Sequence, residues 1–202
     1  MPKLYQPSPD PEVNKINKVE GDRKWGGKAP KVITRALLSL EAPGFLSDPM
    51  QKIVPQRFRT GKLFEEKVKE SLWGWFPESF ISGPWFQYWE RNPYRIQWCQ
   101  PDGLLIFPRE GIIVILEIKS THTSDAWWQL RKLYSPVVKK VFGEGKEGKG
   151  MWEYAVIEIV DRFILGPFPE KVNICHSILD ADRDKFNVYL WKDIREEDRE
   201  VG

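Results

Sequence analysis

The chain has 202 residues, of which 30% are charged and 41% apolar, and its formal net charge is +2. This composition is typical of a soluble globular protein and excludes collagen-like and low-complexity chains. Two cysteines exclude a disulfide framework and cannot supply the four thiolates of an iron–sulfur cluster, so we expect a reducing, cytoplasmic location.

The N-terminal part differs in character from the rest of the chain. Residues 1–30 are rich in Pro, Gly and Lys and predict an extended arm, and "KVITRALLSL" predicts a short helix. Residues 1–62 hold twelve Lys/Arg against six Asp/Glu. Such a basic segment can follow a phosphate backbone, although a solvated surface explains it equally well. We therefore divide the chain into residues 1–60, arm and short helix, and a domain over residues 61–202.

Alternating helical and strand patterns predict an α/β fold for that domain. "TGKLFEEKVKESLWGWF" predicts an amphipathic helix, because Phe64, Val68, Leu72 and Trp75 share one face. A second helix is predicted over "TSDAWWQLRKLYSPVVKKVF", with a kink or a new segment at Pro136. The strand patterns, in chain order, are "PWFQYWE", "YRIQWCQ", the two arms of "QPDGLLIFPREGIIVILEIKS", "WEYAVIEIV", "KVNICHS" and "KFNVYLWK". No apolar run is long enough to cross a membrane, so we expect no membrane partner.

The hairpin around "PREG" places charged residues at the end of the most apolar segment. If its centre lies between Arg109 and Glu110, Asp102 opposes Glu117, and the two carboxylates share one face. Lys119 points to the same face, because it lies two residues beyond Glu117 on the strand. Opposed carboxylates beside apolar surface repel each other, and a divalent cation relieves that repulsion.

These residues together predict a site for phosphodiester hydrolysis. Hard oxygen ligands suit Mg²⁺, with Mn²⁺ as a substitute, and the backbone carbonyl of Ile118 is a further candidate ligand. A metal held by Asp102 and Glu117 would polarise the phosphate and activate a water molecule. Lys119 would stabilise the negative charge that develops in the transition state.

The motif formed by Pro101-Asp102 and Glu117-Ile118-Lys119 resembles that of the PD-(D/E)XK nuclease superfamily. The resemblance implies a restriction-endonuclease-like core over residues 61–160. In that core a central mixed β-sheet is flanked by helices in the order αβββαβ, with the N-terminal arm and a C-terminal strand extension added. It also implies an Mg²⁺-dependent deoxyribonuclease acting in DNA repair or recombination.

Members of this superfamily often carry another metal-binding acid on the first helix. We assign that role to Glu65 rather than Glu66, because Glu65 lies nearer the apolar stripe of its helix.

A second resemblance concerns RecB-like exonucleases, which carry a Q-x3-Y signature on the helix after the lysine. Here "QLRKLY" places Gln129 and Tyr134 one residue too far apart, so Gln129 is retained as a nucleic-acid-binding residue and Tyr134 is not. Arg131 and Lys132 on the same helix are candidate phosphate contacts. The iron–sulfur cluster of some relatives is not expected.

Several alternatives stay open. An exonuclease acting on ends or single strands is slightly favoured over a structure- or sequence-specific endonuclease. A non-catalytic nucleic-acid-binding module with a vestigial site is the third possibility, and a structural ion pair between Lys119 and Glu117 is the fourth. A surface or capping role is favoured for His122 and a structural role in a strand for His176. DNA is the expected partner, while the choice between DNA and RNA and the oligomeric state stay open.

Overall fold

Two β-sheets of different topology form the frame of the part of the chain that the structure describes. The computed structural model describes residues 30, 32–39, 41–43, 56–91, 96–122, 124–143, 152–163, 171–172 and 174–191. Most of the predicted N-terminal arm lies outside these residues. Among them, no helix has the combination of length and apolar character that a membrane crossing requires.

The larger sheet is mixed and has six strands in the spatial order β2-β5-β6-β7-β9-β8. Strands β2, β5 and β6 pair antiparallel, and β6, β7, β9 and β8 pair parallel. The strands span Phe80–Ser82 (β2), Gly103–Phe107 (β5), Ile112–Thr121 (β6), Glu153–Arg162 (β7), Lys171–Val172 (β8) and Phe186–Trp191 (β9). Seven consecutive residues of β6 and seven of β7 are buried, which is characteristic of strands covered on both faces.

The smaller sheet contains β1 (Ile33–Ser39), β3 (Trp85–Glu90) and β4 (Ile96–Cys99), all antiparallel. The prediction of a short helix over "KVITRALLSL" is therefore wrong. The segment is too short to form a stable helix by itself, and pairing with β3 satisfies its backbone groups instead. The predicted strands β3 and β4 pair within this separate sheet and not within the larger one.

One face of the larger sheet is covered by helix α1, which spans Gln56–Trp75. Phe64, Val68 and Leu72 of the predicted stripe are buried against the sheet. Trp75 is 43% exposed, so the stripe ends one turn earlier than the sequence predicted.

A continuous helical segment covers the opposite face together with the inner side of the smaller sheet. It consists of α2 (Ser124–Trp128), a π-helical stretch (Gln129–Tyr134) and α3 (Ser135–Phe142). Pro136 lies at the start of α3, where its missing N–H costs little. The predicted second segment at this proline is confirmed.

The C-terminal part is partly as predicted. "KFNVYLWK" forms β9, but "KVNICHS" forms β8 for only two residues and then α4 (Ile174–Ser177), followed by a 3₁₀ turn (Ile178–Asp180). His176 is thus in a helix rather than in a strand. Short apolar runs do not distinguish strand from helix by periodicity, and the buried Cys175 and Ile178 pack into the α1-side core in the helical form.

Candidate active site

The β5–β6 hairpin has the register that the sequence predicted. Gly103 pairs with Leu116, and Phe107 pairs with Ile112. Asp102 precedes this ladder directly, and its backbone N–H donates to the carbonyl of Leu116 at 3.1 Å. Asp102 therefore lies opposite Glu117 at the end of the hairpin far from the turn.

Asp102 is held in place by contacts on both sides. Its carboxylate Oδ2 accepts a 2.7 Å hydrogen bond from the N–H of Ile118, and its carbonyl accepts one from Gly83 at 3.0 Å. Gly103 allows this close packing, because a Cβ there would lie 2.7 Å from the ring of Phe80. Burial raises the pKa of Asp102 and Glu65 adds to the effect, while Lys119 and the Ile118 hydrogen bond oppose it.

Glu117 is a carboxylic acid in the interior of the sheet. It is 1% exposed, and its Oε2 has no hydrogen-bond partner among the residues that the structure describes. Burial, then repulsion from Asp102, raises the pKa of Glu117 to about 8, against the opposing effect of Lys119. The Glu117 side chain thus combines an oxygen acceptor that lacks a donor among the described residues with a carboxyl group whose ionisation is partly suppressed.

Lys119 lies on the same face of β6 as Glu117 and forms an ion pair with its Oε1. Burial alone would lower the pKa of Lys119, but the carboxylates of Glu117 and Asp102 outweigh burial and raise it. The ammonium group therefore stays charged. Its side chain is 29% exposed, so it links the buried acid to solvent.

Helix α1 carries the two adjacent acids between which the sequence analysis chose. Glu65 is half-buried, and its Oε1 accepts a 2.5 Å hydrogen bond from the ammonium group of Lys69. The negative charge of Glu65 raises the pKa of Asp102. Glu66 is 53% exposed and pairs with Lys62 at 3.6 Å. Glu65 is thus the one that approaches the carboxylate pair, as the helical phase predicted, whereas a ligand role for it remains a prediction.

The π-helical stretch brings two polar side chains toward the site from the other layer. Gln129 and Tyr134 are both buried, and Gln129 Nε2 donates to the Tyr134 hydroxyl at 3.2 Å. The sequence prediction omits Tyr134 because of its spacing from Gln129, but the two side chains lie together here, because residues five apart approach each other in a π-helix. Burial raises the pKa of Tyr134, and repulsion from Glu117 and Asp102 adds to this. Within the described part of the chain, Gln129 Oε1 is a second buried acceptor without a partner.

Glu158 and His122 form a hydrogen-bonded pair that the sequence analysis did not identify. Glu158 is 0% exposed and is the register partner of Glu117 on the parallel strand β7. His122 Nδ1 lies 2.6 Å from Glu158 Oε2, so its predicted surface or capping role is wrong. The available signal was Glu158 within the apolar run "YAVIEIV". Like Glu117, it is an ionisable residue in a strand that is otherwise apolar, where a charge needs a partner.

Two predicted nucleic-acid contacts have other partners. Arg131 Nη2 donates to the carbonyl of Asp184 at 3.0 Å, and the Lys132 ammonium lies 5.4 Å from the ring centre of Trp127. Both side chains therefore make contacts outside the carboxylate pair, and their binding of phosphates remains a prediction.

The donor chemistry of this site fits a hard divalent cation. Asp102, Glu117 and the amide oxygen of Gln129 are oxygen donors, and two of the buried oxygens lack a partner. Among the described residues, no three His, Cys, Asp or Glu side chains converge as a preformed metal cage. A cation would thus be held by two carboxylates with help from backbone or amide oxygens. No family model, curated protein or solved structure matches this chain.

Proposed function

We propose that this chain is an Mg²⁺-dependent nuclease that hydrolyses phosphodiester bonds of DNA. The observation that carries the proposal is the buried pair Asp102 and Glu117, with an orphan oxygen on Glu117 and a charged lysine beside it. Burying two acids together is unfavourable unless a cation compensates them. The N–H of Ile118 and the ammonium of Lys119 each satisfy one oxygen, which leaves acceptor capacity directed into the site.

The order of elements supports a restriction-endonuclease-like core. Helix α1 is followed by three antiparallel strands of the larger sheet, then by the α2–α3 segment, and then by β7 parallel to β6. This is the order αβββαβ, with β3 and β4 inserted between the first and second of the three strands. The motif residues lie at the end of β6 where the carboxyl ends of the parallel strands meet.

Each residue has a distinct role in this proposal. Asp102 and Glu117, assisted by Glu65 and the carbonyl of Ile118, would hold Mg²⁺ or Mn²⁺. The bound cation would supply Lewis-acid activation of the phosphate and of a water molecule. Lys119 has a charged, partly exposed ammonium that can move from Glu117 to a phosphate oxygen and stabilise the added negative charge there.

Asp102→Asn is the test, with Asp184→Asn as the matched control. Asparagine keeps an acceptor for the N–H of Ile118 but removes the charge, whereas Asp184 is an exposed aspartate of the turn before β9. We expect Mg²⁺-dependent cleavage of labelled DNA by the wild type and the control, with none by Asp102→Asn. Full cleavage by Asp102→Asn at saturating Mg²⁺ would contradict the assignment.

The choice of substrates decides the finer points. Linear, circular, branched and single-stranded DNA, with matched RNA, separate exonuclease from endonuclease action and DNA from RNA. We expect linear ends to be preferred. Ca²⁺ should bind and support little turnover, because its looser coordination positions water poorly.

A non-catalytic nucleic-acid-binding module is the second candidate function. The Lys119–Glu117 ion pair bears on its non-catalytic part, because a lysine paired with the buried acid explains the charge at this position without catalysis. Binding of DNA by the wild type without cleavage in Mg²⁺ or Mn²⁺ would identify this function.

A further inference from the structure

A cavity of about 300 Å³ lies between α1 and β2, lined by Lys69, Glu70, Trp73, Phe80 and Ser82. Its volume is at the lower end of the range for small-molecule sites, roughly 300–1,000 Å³. The cavity is therefore large enough for one flat ring system and too small for a folded partner.

The cavity lies on the α1 face of the larger sheet, near Asp102 at the end of the hairpin. Lys69 lies 2.5 Å from Glu65, and its charge acts on Asp102. Ser82 pairs with Gly103, the residue that directly follows Asp102. A strand whose phosphate reaches Asp102 would therefore bring an adjacent nucleotide to the mouth of the cavity.

The walls of the cavity suit an aromatic ring. Trp73 is 57% exposed, whereas Phe80 is 4% exposed and contributes a buried apolar surface. An exposed tryptophan in a concave wall can stack on an unpaired base, since every base presents a flat face.

The charges of the lining disfavour a phosphate as the occupant. Lys69 is already paired with Glu65, and Glu70 adds a negative charge to the same lining. A phosphate would meet no net positive charge here. A neutral base would meet an indole face, with the Ser82 hydroxyl and the Glu70 carboxylate as possible partners for its polar edge.

We infer that this cavity binds one unpaired nucleobase of the strand that crosses the carboxylate pair. The inference rests on the proposed function, because it places the scissile phosphate at Asp102 and Glu117. It identifies the substrate class as single-stranded DNA or a frayed end, since a base within an intact duplex cannot stack on Trp73 in this cavity without leaving its own stack.

Trp73→Ala tests the inference, with Trp75→Ala as its matched control. Trp75 is on the same helix, has the same side chain and is 43% exposed, but it does not line the cavity. The full chain is titrated against a labelled oligo(dT) and a blunt duplex of equal length, with EDTA present so that nothing is cleaved. We expect Trp73→Ala to weaken oligo(dT) binding by roughly 5- to 150-fold, the value of one stacked base. Duplex binding should stay unchanged.

Further measurements separate this inference from the proposed function. Trp73→Phe should restore most of the oligo(dT) affinity, because a smaller ring still stacks, and melting temperatures should match the wild type. Equal losses in the Trp73→Ala and Trp75→Ala variants, or unchanged oligo(dT) affinity in Trp73→Ala, would overturn the inference even if the wild type cleaves DNA. A third outcome is that only Trp73→Ala loses oligo(dT) binding and that the wild type does not cleave DNA in Mg²⁺. This outcome would uphold base binding by the cavity and overturn the proposed nuclease function.

Discussion

The two ends of the β5–β6 hairpin carry similar charges in opposite environments. At the turn, Arg109 and Glu110 are exposed, and Gly111 adopts a φ of 68° that closes the loop. At the other end, Glu117 and Lys119 form an ion pair beside Asp102, where the side chains are largely buried. Charges at the turn are solvated and need no compensation, whereas those at the far end perturb one another. Residue type alone therefore says little about a charge, and its position relative to the sheet decides its energy.

Replacing Lys119 should separate the two ends most strongly. We expect Lys119→Ala to lower the single-turnover cleavage rate by roughly 10²–10³, the usual effect of removing one preorganised charge-stabilising donor. Arg109→Ala, at the exposed end, should leave the rate unchanged.

A structural role for Lys119 would give a different result in the same variants. Losing a purely structural partner would cost about 3–5 kcal/mol of unfolding free energy through an uncompensated buried acid. That cost should appear above about pH 8, where Glu117 is ionised, and should be small at lower pH, where Glu117 holds a proton. A large fall in melting temperature with an unchanged rate per folded molecule would reject the catalytic role.

The titration of Glu117 should make wild-type stability depend on pH. Its pKa is raised from 4.5 to about 8 in the folded protein, mainly by burial and then by Asp102, with Glu158 adding to the effect and Lys119 opposing it. The unfolded chain releases this proton near pH 4.5 and the folded protein near pH 8. The contribution is thus fully present below pH 4.5 and is lost as pH rises to about 8.

Glu117→Gln should therefore gain stability over the wild type by a few kcal/mol at pH 9 and by little at pH 4. Each kcal/mol corresponds to roughly 2–4 °C of melting temperature in a chain of this size. Glu110→Gln, the control at the turn, should show no such trend. Mg²⁺ at pH 9 should raise the melting temperature of the wild type but not that of Glu117→Gln. Parallel pH profiles for the wild type and Glu117→Gln would show that the acid is not perturbed.

Glu65 and Glu66 extend the comparison to helix α1. Glu65→Gln should lower cleavage by roughly 10- to 100-fold, the usual effect of a residue that supports a metal site. Glu66→Gln should have almost no effect, because its pairing with Lys62 is a surface ion pair. Steady-state cleavage at saturating Mg²⁺ measures both. Equal effects would mean that Glu65 has no part in the chemistry.

The smallest effect is expected for Tyr134→Phe. This change leaves Gln129 Nε2 without its partner and should cost about 1–3 kcal/mol of unfolding free energy. Tyr189→Phe is the control, because the Tyr189 hydroxyl donates to the carbonyl of Ser177 and its removal breaks a similar hydrogen bond away from the site. Urea unfolding gives both values. We expect only Tyr134→Phe to change the Mg²⁺ dependence of cleavage, and identical Mg²⁺ titrations would exclude Tyr134 from the site.

The register of the hairpin could be predicted because it depends on residues that are close together in the sequence. A Pro–Gly turn between two apolar runs leaves one register that buries both, and that register pairs Gly103 with Leu116. The position of Asp102 opposite Glu117 follows directly. Local patterns also predicted the burial of Phe64, Val68 and Leu72 on α1, although not of Trp75, and the strand β9.

Features that depend on distant partners could not be predicted. Whether residues 33–39 form a helix or a strand depends on pairing with β3, some fifty residues later, which local propensity does not reveal. The separation of β3 and β4 from the larger sheet has the same origin. The proximity of Glu158 to Glu117 required the register of a parallel pair, which no turn specifies.

The π-helical stretch changes how length variation can be read in this chain. Between Gln129 and Tyr134 the stretch holds one residue more than an α-helical turn needs. The backbone N–H of Ser135 accordingly donates to the carbonyl of Leu130, five residues back instead of four. Deleting one residue here, such as the exposed Lys132, would let the stretch rewind as α-helix without rotating α3. An alignment with a chain that has a regular helix at this position should therefore open a single-residue gap inside the helix, where gaps are normally penalised.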